Sequence, residues 1–572
     1  KITITRTKMI ELPPGLILIV GAFLVPFFHG NVRNIYMLLL PIFGIWGLLT
    51  VSNGVYFPFE IFGYNLSPVR IDRLSLLFGY IFHIAAIISL IYAFHLKDTV
   101  QQMAGLIYAG AAIGGAFAGD LITLFIYWEI TAIASVFLIW SSRTEASFKA
   151  GMRYLIIQVG SGVLLLAGAI IHFHKTGSIV FDKMNLSGLG PILIFIAFGI
   201  KAAFPLLHNW LVDAYPEATV TGTVFLSAFT TKLAIYALAR GFPGTEMLIW
   251  IGATMTAFPI FYAVIENNLR RVLTYSLNNQ LGFMVVGIGI GTELSINGTA
   301  AHAFSHILYK AVLFMSMGAV LYRTGTIKGS ELGGLYKTMP YTTGFCIVGA
   351  ASASAFPLFS GFISKSLIVT AAAVEGHWFV WGVLLFASAS VFYHSGIKIP
   401  YFAFFQHDSG KRPQEAPKNM LAAMGIAAFL CIAIGVYPYW LYDILPYNVD
   451  YKPYTTTHVV TQLQLLFFSA LAFGWLMRTG LYPPELKSTN LDFDWSYRVF
   501  IPKILNIVAN SIKIINASLE SVIHKILAFV NANLSKHHGR SGILARTSSL
   551  GGSVTMIISV LAVLIIIFYF ET

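Results

Sequence analysis

Five ionisable residues stand inside runs that are otherwise apolar: Glu129, Lys201, Lys232, Lys310 and Lys365. Lys201 precedes Pro205 in GIKAAFPLLHNW, an apolar helix broken at its middle, and Lys232 lies in the next apolar run, TVFLSAFTTKLAIYALAR. His302, His306 and Lys310 recur at i, i+4 and i+8, so they line one face of a single helix. A charged side chain near the centre of a bilayer costs at least about 2.5–3.5 kcal/mol, and it persists only where it is paired, hydrated or used. Burial disfavours the charged forms of Lys, Glu and His, which brings each within reach of proton exchange. Two unit charges about 6 Å apart at an effective dielectric of about 20 interact by roughly 2.8 kcal/mol. That is a change of about a hundredfold in a proton equilibrium. The chemistry this set points to is proton transfer along a row of coupled charges.

One buried lysine can do no more than satisfy a neighbouring carbonyl, but five such groups on separate runs resist that account. His302 lies nearer a helix end and is open to a solvated role. His83, His172, His174 and His394 lack such company and are expected to be hydrogen-bonded structural residues. Asp120, Asp213, Glu217 and Glu266 fall near the ends of apolar runs, where capping or solvation is expected.

The elements that must hold these groups are membrane helices. The 572 residues are 57% hydrophobic and only 10% charged, with mean hydropathy +0.76. A soluble domain carries about a quarter charged residues. Apolar runs fall at 13–29, 35–52, 73–94, 101–118, 120–140, 151–172, 191–208, 221–241, 247–265, 272–291, 297–322, 341–363, 378–400, 419–440, 456–477 and 552–570. These are about sixteen spans of ~20 residues each. Lys1, Arg6 and Lys8 precede the first run as in a signal peptide, yet no small-residue cleavage site follows, so a retained span is expected. Residues 53–70 are aromatic and turn-rich, an extramembrane loop or hairpin. Loop Lys and Arg, counted with Arg270 and Lys398 inside and Arg240 outside, place both termini outside.

The Ala203-Phe204-Pro205-Leu206 segment recurs as Ala355-Phe356-Pro357-Leu358, each with a lysine nearby. Proline inside a membrane helix frees carbonyls that then need water, an ion or a neighbour. Paired broken helices in two halves point to a transporter's ion path. Residues 497–534 form an amphipathic stripe about 57 Å long at ~1.5 Å per residue. It reads either as a helix lying on the membrane surface or as a cytoplasmic strut fastening this chain to neighbours.

Other chemistries lack their residues. Cys346 and Cys431 are too few and too far apart for an iron–sulfur cluster. Neither a dinucleotide nor a P-loop glycine motif occurs, no zinc spacing or serine–histidine–acid set is legible, and no cofactor is expected. The net charge of +12 is read as loop asymmetry, with no nucleic-acid partner.

At these residues the chain resembles the antiporter-like subunits shared by respiratory complex I, membrane-bound hydrogenases and Mrp cation/proton antiporters. The matching residues run from Asp120-Leu121 through Trp128-Glu129 and Lys201-Ala-Ala-Phe-Pro-Leu-Leu-His208-Asn-Trp210 to Asp213-Ala-Tyr-Pro-Glu217. They continue through Asn268-Leu-Arg-Arg-Val-Leu-Thr-Tyr-Ser276, His302, His306 and Lys310, Gly333-Gly-Leu-Tyr-Lys-Thr-Met-Pro340, Pro357 to Lys365 and Glu415-Ala-Pro417. The wording around Lys232 resembles the D-type subunit of Mrp antiporters most. Thr219 stands where many relatives have proline, a departure from the pattern.

The resemblance implies an all-α polytopic fold with a fourteen-helix core, two inverted five-helix repeats and broken helices. It implies Glu129 and Lys201 as a coupled pair, Lys232 with His306 and Lys310 as a central relay, and Lys365 as the terminal exchange group. The expected divisions are 1–100 N-terminal spans, 101–245 first repeat, 246–403 second repeat, 404–480 peripheral spans, 481–551 lateral helix and linkers, and 552–572 anchor. The expected function is a proton-translocating subunit of a multisubunit Na+/H+ antiporter in a prokaryotic inner membrane. Its partners would be other membrane subunits engaged by 497–534, membrane lipid, protons and Na+ or another cation. The alternatives are a redox-driven pump module, the proton-coupling subunit of an inorganic-carbon uptake complex, and a scaffold with vestigial charges. No catalytic chemistry of the chain's own is expected.

Overall fold

The computed structural model describes residues 12–61, 63–483, 486 and 490–571. Lys1, Arg6 and Lys8, read above as the flank of the first span, lie outside the described residues. The chain divides into two compact units, Lys1–Asn490 and Leu491–Thr572.

Helix is the form that satisfies every backbone N–H and C=O within one segment when water is absent, and it dominates here. The first unit opens with α1 (Leu16–Ala22), α2 (Gly30–Leu48) and α3 (Arg73–Tyr92). Between α2 and α3 the 53–70 segment folds as a nested hairpin. Its outer strands β1 (Gly54–Tyr56) and β4 (Val69–Ile71) pair antiparallel around β2 (Phe59–Ile61) and β3 (Tyr64–Leu66). The helices α4 (Thr99–Phe117), α5 (Leu121–Trp140) and α6 (Glu145–Thr176) follow. Asp120 caps α5, accepting from the Thr123 N–H at 2.7 Å, and its other oxygen takes the Ser67 N–H.

Next come α7 (Leu189–Lys201), α8 (Asn209–Ala214), α9 (Val220–Ala228) and α10 (Thr230–Gly241). Beyond them lie α11 (Glu246–Ile265), α12 (Leu269–Ile290) and α13 (Glu293–Thr324), then α14 (Pro340–Ala353), α15 (Ser360–Val374) and α16 (Trp378–Val391). The short α17 (Lys398–Pro400) is flanked by π-helical turns at Phe392–Ile397 and Tyr401–Phe405. The unit ends with α18 (Lys418–Val436), α19 (Tyr439–Tyr442) and α20 (Thr456–Thr479).

Eleven stretches among the described residues are long and apolar enough to cross a membrane. Their burial sorts them. The apolar window of α13 is 94% buried and that of α9 with α10 is 100% buried, against 39% for α6 and 11% for α20. The polar side chains are therefore carried on helices shielded by other helices, and the outer helices turn apolar surface outward.

Two local expectations change. The 341–363 run is not one span: α14 stops at Ala353 and α15 continues to Val374, because the helix breaks around Pro357 and restarts. Arg240, Arg270 and Lys398, counted with the loops, are buried. Arg240 holds Asp72 at 2.8 Å. Arg270 donates to the carbonyls of Pro216 and Ala218 at 2.9 Å, and Lys398 to those of Val264 and Glu266 at 2.7 Å. These charges close helix ends and loops from within, so they do not report which loops face the cytoplasm.

The second unit holds α21 (Ile501–His538) and α22 (Leu550–Glu571). The α21 helix is exposed along its length. Ile501, Leu505, Val508, Ile512, Ile515 and Leu519 follow the helical repeat, with Lys503, Asn506, Asn510, Lys513, Asn516 and Glu520 between them.

Candidate functional site

The two Ala-Phe-Pro-Leu segments make the same break. Ala203 and Ala355 sit at φ +60° and +58°, and Leu206 and Leu358 at +70° and +74°. The Phe204 N–H reaches back to the Gly199 carbonyl and the Phe356 N–H to the Ala351 carbonyl, each at 3.0 Å. This is the helix end in which a left-handed residue lets a 6→1 bond close the last turn, a place glycine usually takes. A non-glycine residue there costs of order 1–3 kcal/mol, and such strain gathers at functional sites.

Lys201 is the last residue of α7 and is fully buried. Its ammonium donates to the Trp128 carbonyl at 2.5 Å and to Thr131 Oγ1 at 2.9 Å, and lies 4.3 Å from the Trp128 ring centroid. Trp128 is itself fixed, its indole N–H donating to Ser161 Oγ at 3.0 Å. Glu129 follows Trp128 on α5 and is electrostatically coupled to Lys201. Its Oε1 is buried and, among the described residues, has no hydrogen-bond partner. Gly162 on α6 makes the room, since a Cβ there would collide with Glu129 Oε1.

Lys232 stands two residues into α10, just beyond the interruption at Phe229. The broken helix leaves the Ser227 carbonyl free to accept the ammonium at 2.6 Å, and Thr231 Oγ1 lies at 3.2 Å. His302, His306 and Lys310 are fully buried on α13, and all three lie within electrostatic range of Lys232. His302, for which the sequence leaves a solvated helix end open, faces the interior. Its Nδ1 is 3.1 Å from Ser364 Oγ, and the Tyr309 hydroxyl that donates to Gln280 Oε1 at 3.0 Å is 3.4 Å from its Nε2. Among the described residues neither nitrogen of His306 has a hydrogen-bond partner, and its ring centroid is 6.0 Å from that of His302.

Lys310 donates to Ser276 Oγ at 2.6 Å. Ser395 Oγ is 2.7 Å from the same oxygen, and His394 Nδ1 is 3.0 Å from Ser395 Oγ. Lys365, on α15, donates to the carbonyl of Ala353, the last residue of α14, at 2.7 Å, and lies 5.3 Å from the Phe283 ring centroid. It lines a cavity of about 500 Å³ with Ser366, Thr370, His458 and Gln462.

The seven sequence-selected residues, a row when taken in chain order, form two interacting sets: Glu129 with Lys201, and Lys232 with the His302, His306 and Lys310 face and Lys365. His394 is buried and hydrogen-bonded, as the sequence leads one to expect, and the two serines beyond it lead to Lys310. The buried Asn278, Asn279 and Gln280 of α12 lie outside the residues singled out in the sequence. The signal was present as the polar run SLNNQ inside an apolar span. His83 keeps the structural role expected of it, with Nδ1 2.7 Å from the Gly79 carbonyl of its own helix. Asp213 pairs with Arg153 at 2.7 Å.

A family model described as NADH:quinone oxidoreductase/Mrp antiporter, TM, matches residues 118–392, which hold the whole row. The N-type subunit of NADH-quinone oxidoreductase from Desulforudis audaxviator is 30% identical over 355 residues, 57% of this chain and 70% of that protein. The chain belongs to this family of membrane subunits. Within the family, the D-type subunit of a Na(+)/H(+) antiporter from Alkalihalophilus pseudofirmus is 27% identical over 470 residues, 75% of this chain and 94% of that protein. Among solved structures, a chain of the membrane-bound sulfane sulfur reductase, an archaeal respiratory membrane complex, has a TM-score of 0.71 at 21% identity. That likeness covers 97% of this chain and 99% of the other, and it is one of fold.

Proposed function

We propose that this chain is the proton-carrying membrane subunit of a multisubunit cation/proton antiporter. The observation that carries the reading is that ionisable groups from five helices form two interacting sets, Glu129 with Lys201 and Lys232 with His302, His306, Lys310 and Lys365, instead of being scattered as isolated structural charges. In this reading Glu129 and Lys201 form the coupled pair, whose relative charge sets whether Lys201 holds or releases its proton. Lys232, His306 and Lys310 relay, with His302 beside them, and Lys365 exchanges at the far end. The matched breaks at Ala203 and Ala355 support two inverted halves, 101–245 and 246–403. The amphipathic α21 suits a cytoplasmic strut engaging neighbouring subunits, with α22 as an anchor, in a prokaryotic inner membrane with both termini outside. Na+ or another cation would be the counter-ion.

A second reading, a pump module driven by redox partners, draws support from the reductase chain, whose likeness extends over nearly the whole length including most of 491–572. Mass spectrometry of the intact complex separates the two. Small membrane subunits alone support the antiporter, and iron–sulfur partners overturn it in favour of the pump. Proteoliposomes of the whole complex then supply the direct test. Proton flux driven by a Na+ or K+ gradient is expected, and its absence with either cation contradicts antiport.

A further inference from the structure

The cavity beside Lys365 has one wall from α20, where His458, Thr461 and Gln462 join Lys365, Ser366 and Thr370 of α15 around about 500 Å³. One water needs roughly 10–15 Å³ of such space and two to four polar partners, so the cavity has room and partners for several. The α20 window is only 11% buried, yet the start of the helix is fastened to the second break. The Tyr454 hydroxyl accepts the N–H of left-handed Leu358 at 3.2 Å and donates to the Gly435 carbonyl of α18. His458, the third residue of α20, is half-buried and held on two sides. Its ring stacks on Phe362, with centroids 4.3 Å apart and planes 17° apart, and Phe362 lies one turn before Lys365 on the same face of α15. Its Nδ1 is 2.6 Å from the Pro453 carbonyl. A carbonyl oxygen only accepts, so Nδ1 carries the hydrogen and Nε2 the lone pair. Arg73, which opens α3 just after the hairpin, donates to the Asp443 carbonyl at 2.7 Å. The segment leading into α20, and His458 at its start, therefore stand toward the hairpin face of the molecule. An ionisable residue inside a spanning helix is costly and marks ion or proton pathways.

We propose that His458 is the proton-exchange residue between Lys365 and the aqueous phase on the hairpin face. This role rests on the proton-carrying reading above and adds the group at which its far end meets water. Cavity water carries a proton from the Lys365 ammonium to Nε2 of His458, leaving a neutral amine and an imidazolium. The imidazolium then releases the Nε2 proton to bulk water and returns to the Nδ1–H form. The reverse steps load the lysine. One proton leaves the amine, one reaches solvent, and no other bond changes. The Pro453 carbonyl keeps the hydrogen on Nδ1 throughout, so exchange takes place at Nε2 alone. Phe362 holds the ring at the cavity, and Tyr454 ties that end of α20 to the break that Lys365 closes.

The test is proton flux by the assembled complex carrying His458→Ala, with and without added imidazole, a small base for which the cavity has room. Each rate is set against the parent complex under the same imidazole. His458→Ala is expected to lose at least about tenfold in flux and to regain most of it with imidazole. His458→Phe keeps a ring on Phe362, removes both nitrogens and fills the place imidazole would take. It is expected to be slow and to stay slow with imidazole. A parent rate in either variant while Lys365→Ala is inactive overturns the role of His458 and leaves the row intact. A slow His458→Ala that imidazole does not restore reduces the ring to packing and overturns the role as well. If His458→Ala does not assemble, His458→Phe decides, a slow rate supporting the exchange and a parent rate overturning it. A full rate in Lys365→Ala overturns the proton-carrying reading itself.

Discussion

The two helix breaks share a backbone and differ in what they do with a lysine. At the first, Lys201 lies on the helix before the break and reaches across to Trp128 and Thr131 of α5, with Glu129 beside them. At the second, Lys365 lies on the helix after the break and reaches back to Ala353, the carbonyl end of the helix before it. The first lysine is sealed among helices and coupled to a carboxylate. The second closes its own break and borders a cavity of about 500 Å³. Identical local geometry thus carries two electrostatic arrangements, a lysine beside a carboxylate and a lysine beside a cavity, which suit the proposed switch and exchange point. The residues packed against each break, and not the break, decide which.

The largest effect is expected where the coupling is cut. Lys201→Ala or Glu129→Gln should lower proton flux about a hundredfold, a change in a proton equilibrium of roughly 2.8 kcal/mol. Flux by the purified, assembled complex checks this. Crowding the carboxylate should do less: Gly162→Ala drives a Cβ into Glu129 Oε1 and something must shift. A loss of about tenfold, the effect of ~1.4 kcal/mol in the pairing, is expected. Gly160→Ala on the same helix meets nothing within 4 Å and should leave flux unchanged.

The breaks themselves should respond alike. Ala203→Val and Ala355→Val force a β-branched residue to φ near +60°, and each should destabilise by about 1–3 kcal/mol. Thermal unfolding of the complex measures both, and a large inequality would show that the breaks are not equivalent. Accessibility should then separate the sites. Cysteine placed at half-buried Thr370 lines the Lys365 cavity and should react readily with a small thiol reagent. Cysteine at buried Thr131 should react at least about tenfold more slowly, by analogy with inert buried thiols.

The smallest effect is expected away from both breaks. Arg412 and then Lys337, by hydrogen bonds, hold the Asp408 carboxyl well below the usual carboxylate range. A carboxylate so lowered contributes stability above its unfolded value of about 4 and loses it as pH falls toward the folded value. Asp408→Asn should therefore lower the melting temperature slightly at about pH 7, and the difference should shrink below about pH 4.

Much of the row was legible because a charge in an apolar run has one plain physical meaning. Glu129, the four lysines and the i, i+4, i+8 face of α13 needed nothing beyond composition and helical spacing. The repeated Ala-Phe-Pro-Leu segment located both breaks, but the left-handed backbone of its alanines and leucines is a conformation that sequence propensity argues against. The continuation of α15 to Val374 was hidden because Pro357 reads as an end and not as a restart. The link from His394 to Lys310 was not legible because it runs through the adjacent Ser395 to Ser276 on α12, and tertiary contacts of that kind leave no periodic trace. Neutral polar residues such as the SLNNQ run carry no charge penalty large enough to stand out. Arg240, Arg270 and Lys398 were misread for the opposite reason, since a basic residue near a span end looks the same whether it meets water or a buried carbonyl.

The central claim is that protons cross along the buried row, and Lys232 is the charge that joins its two halves. The direct measurement is proton flux into proteoliposomes containing the assembled complex with Lys232→Ala, set against the unaltered complex at equal protein and equal driving force. Loss of nearly all flux, with every partner subunit still present, is the predicted result. An unchanged flux from that fully assembled variant would contradict the account.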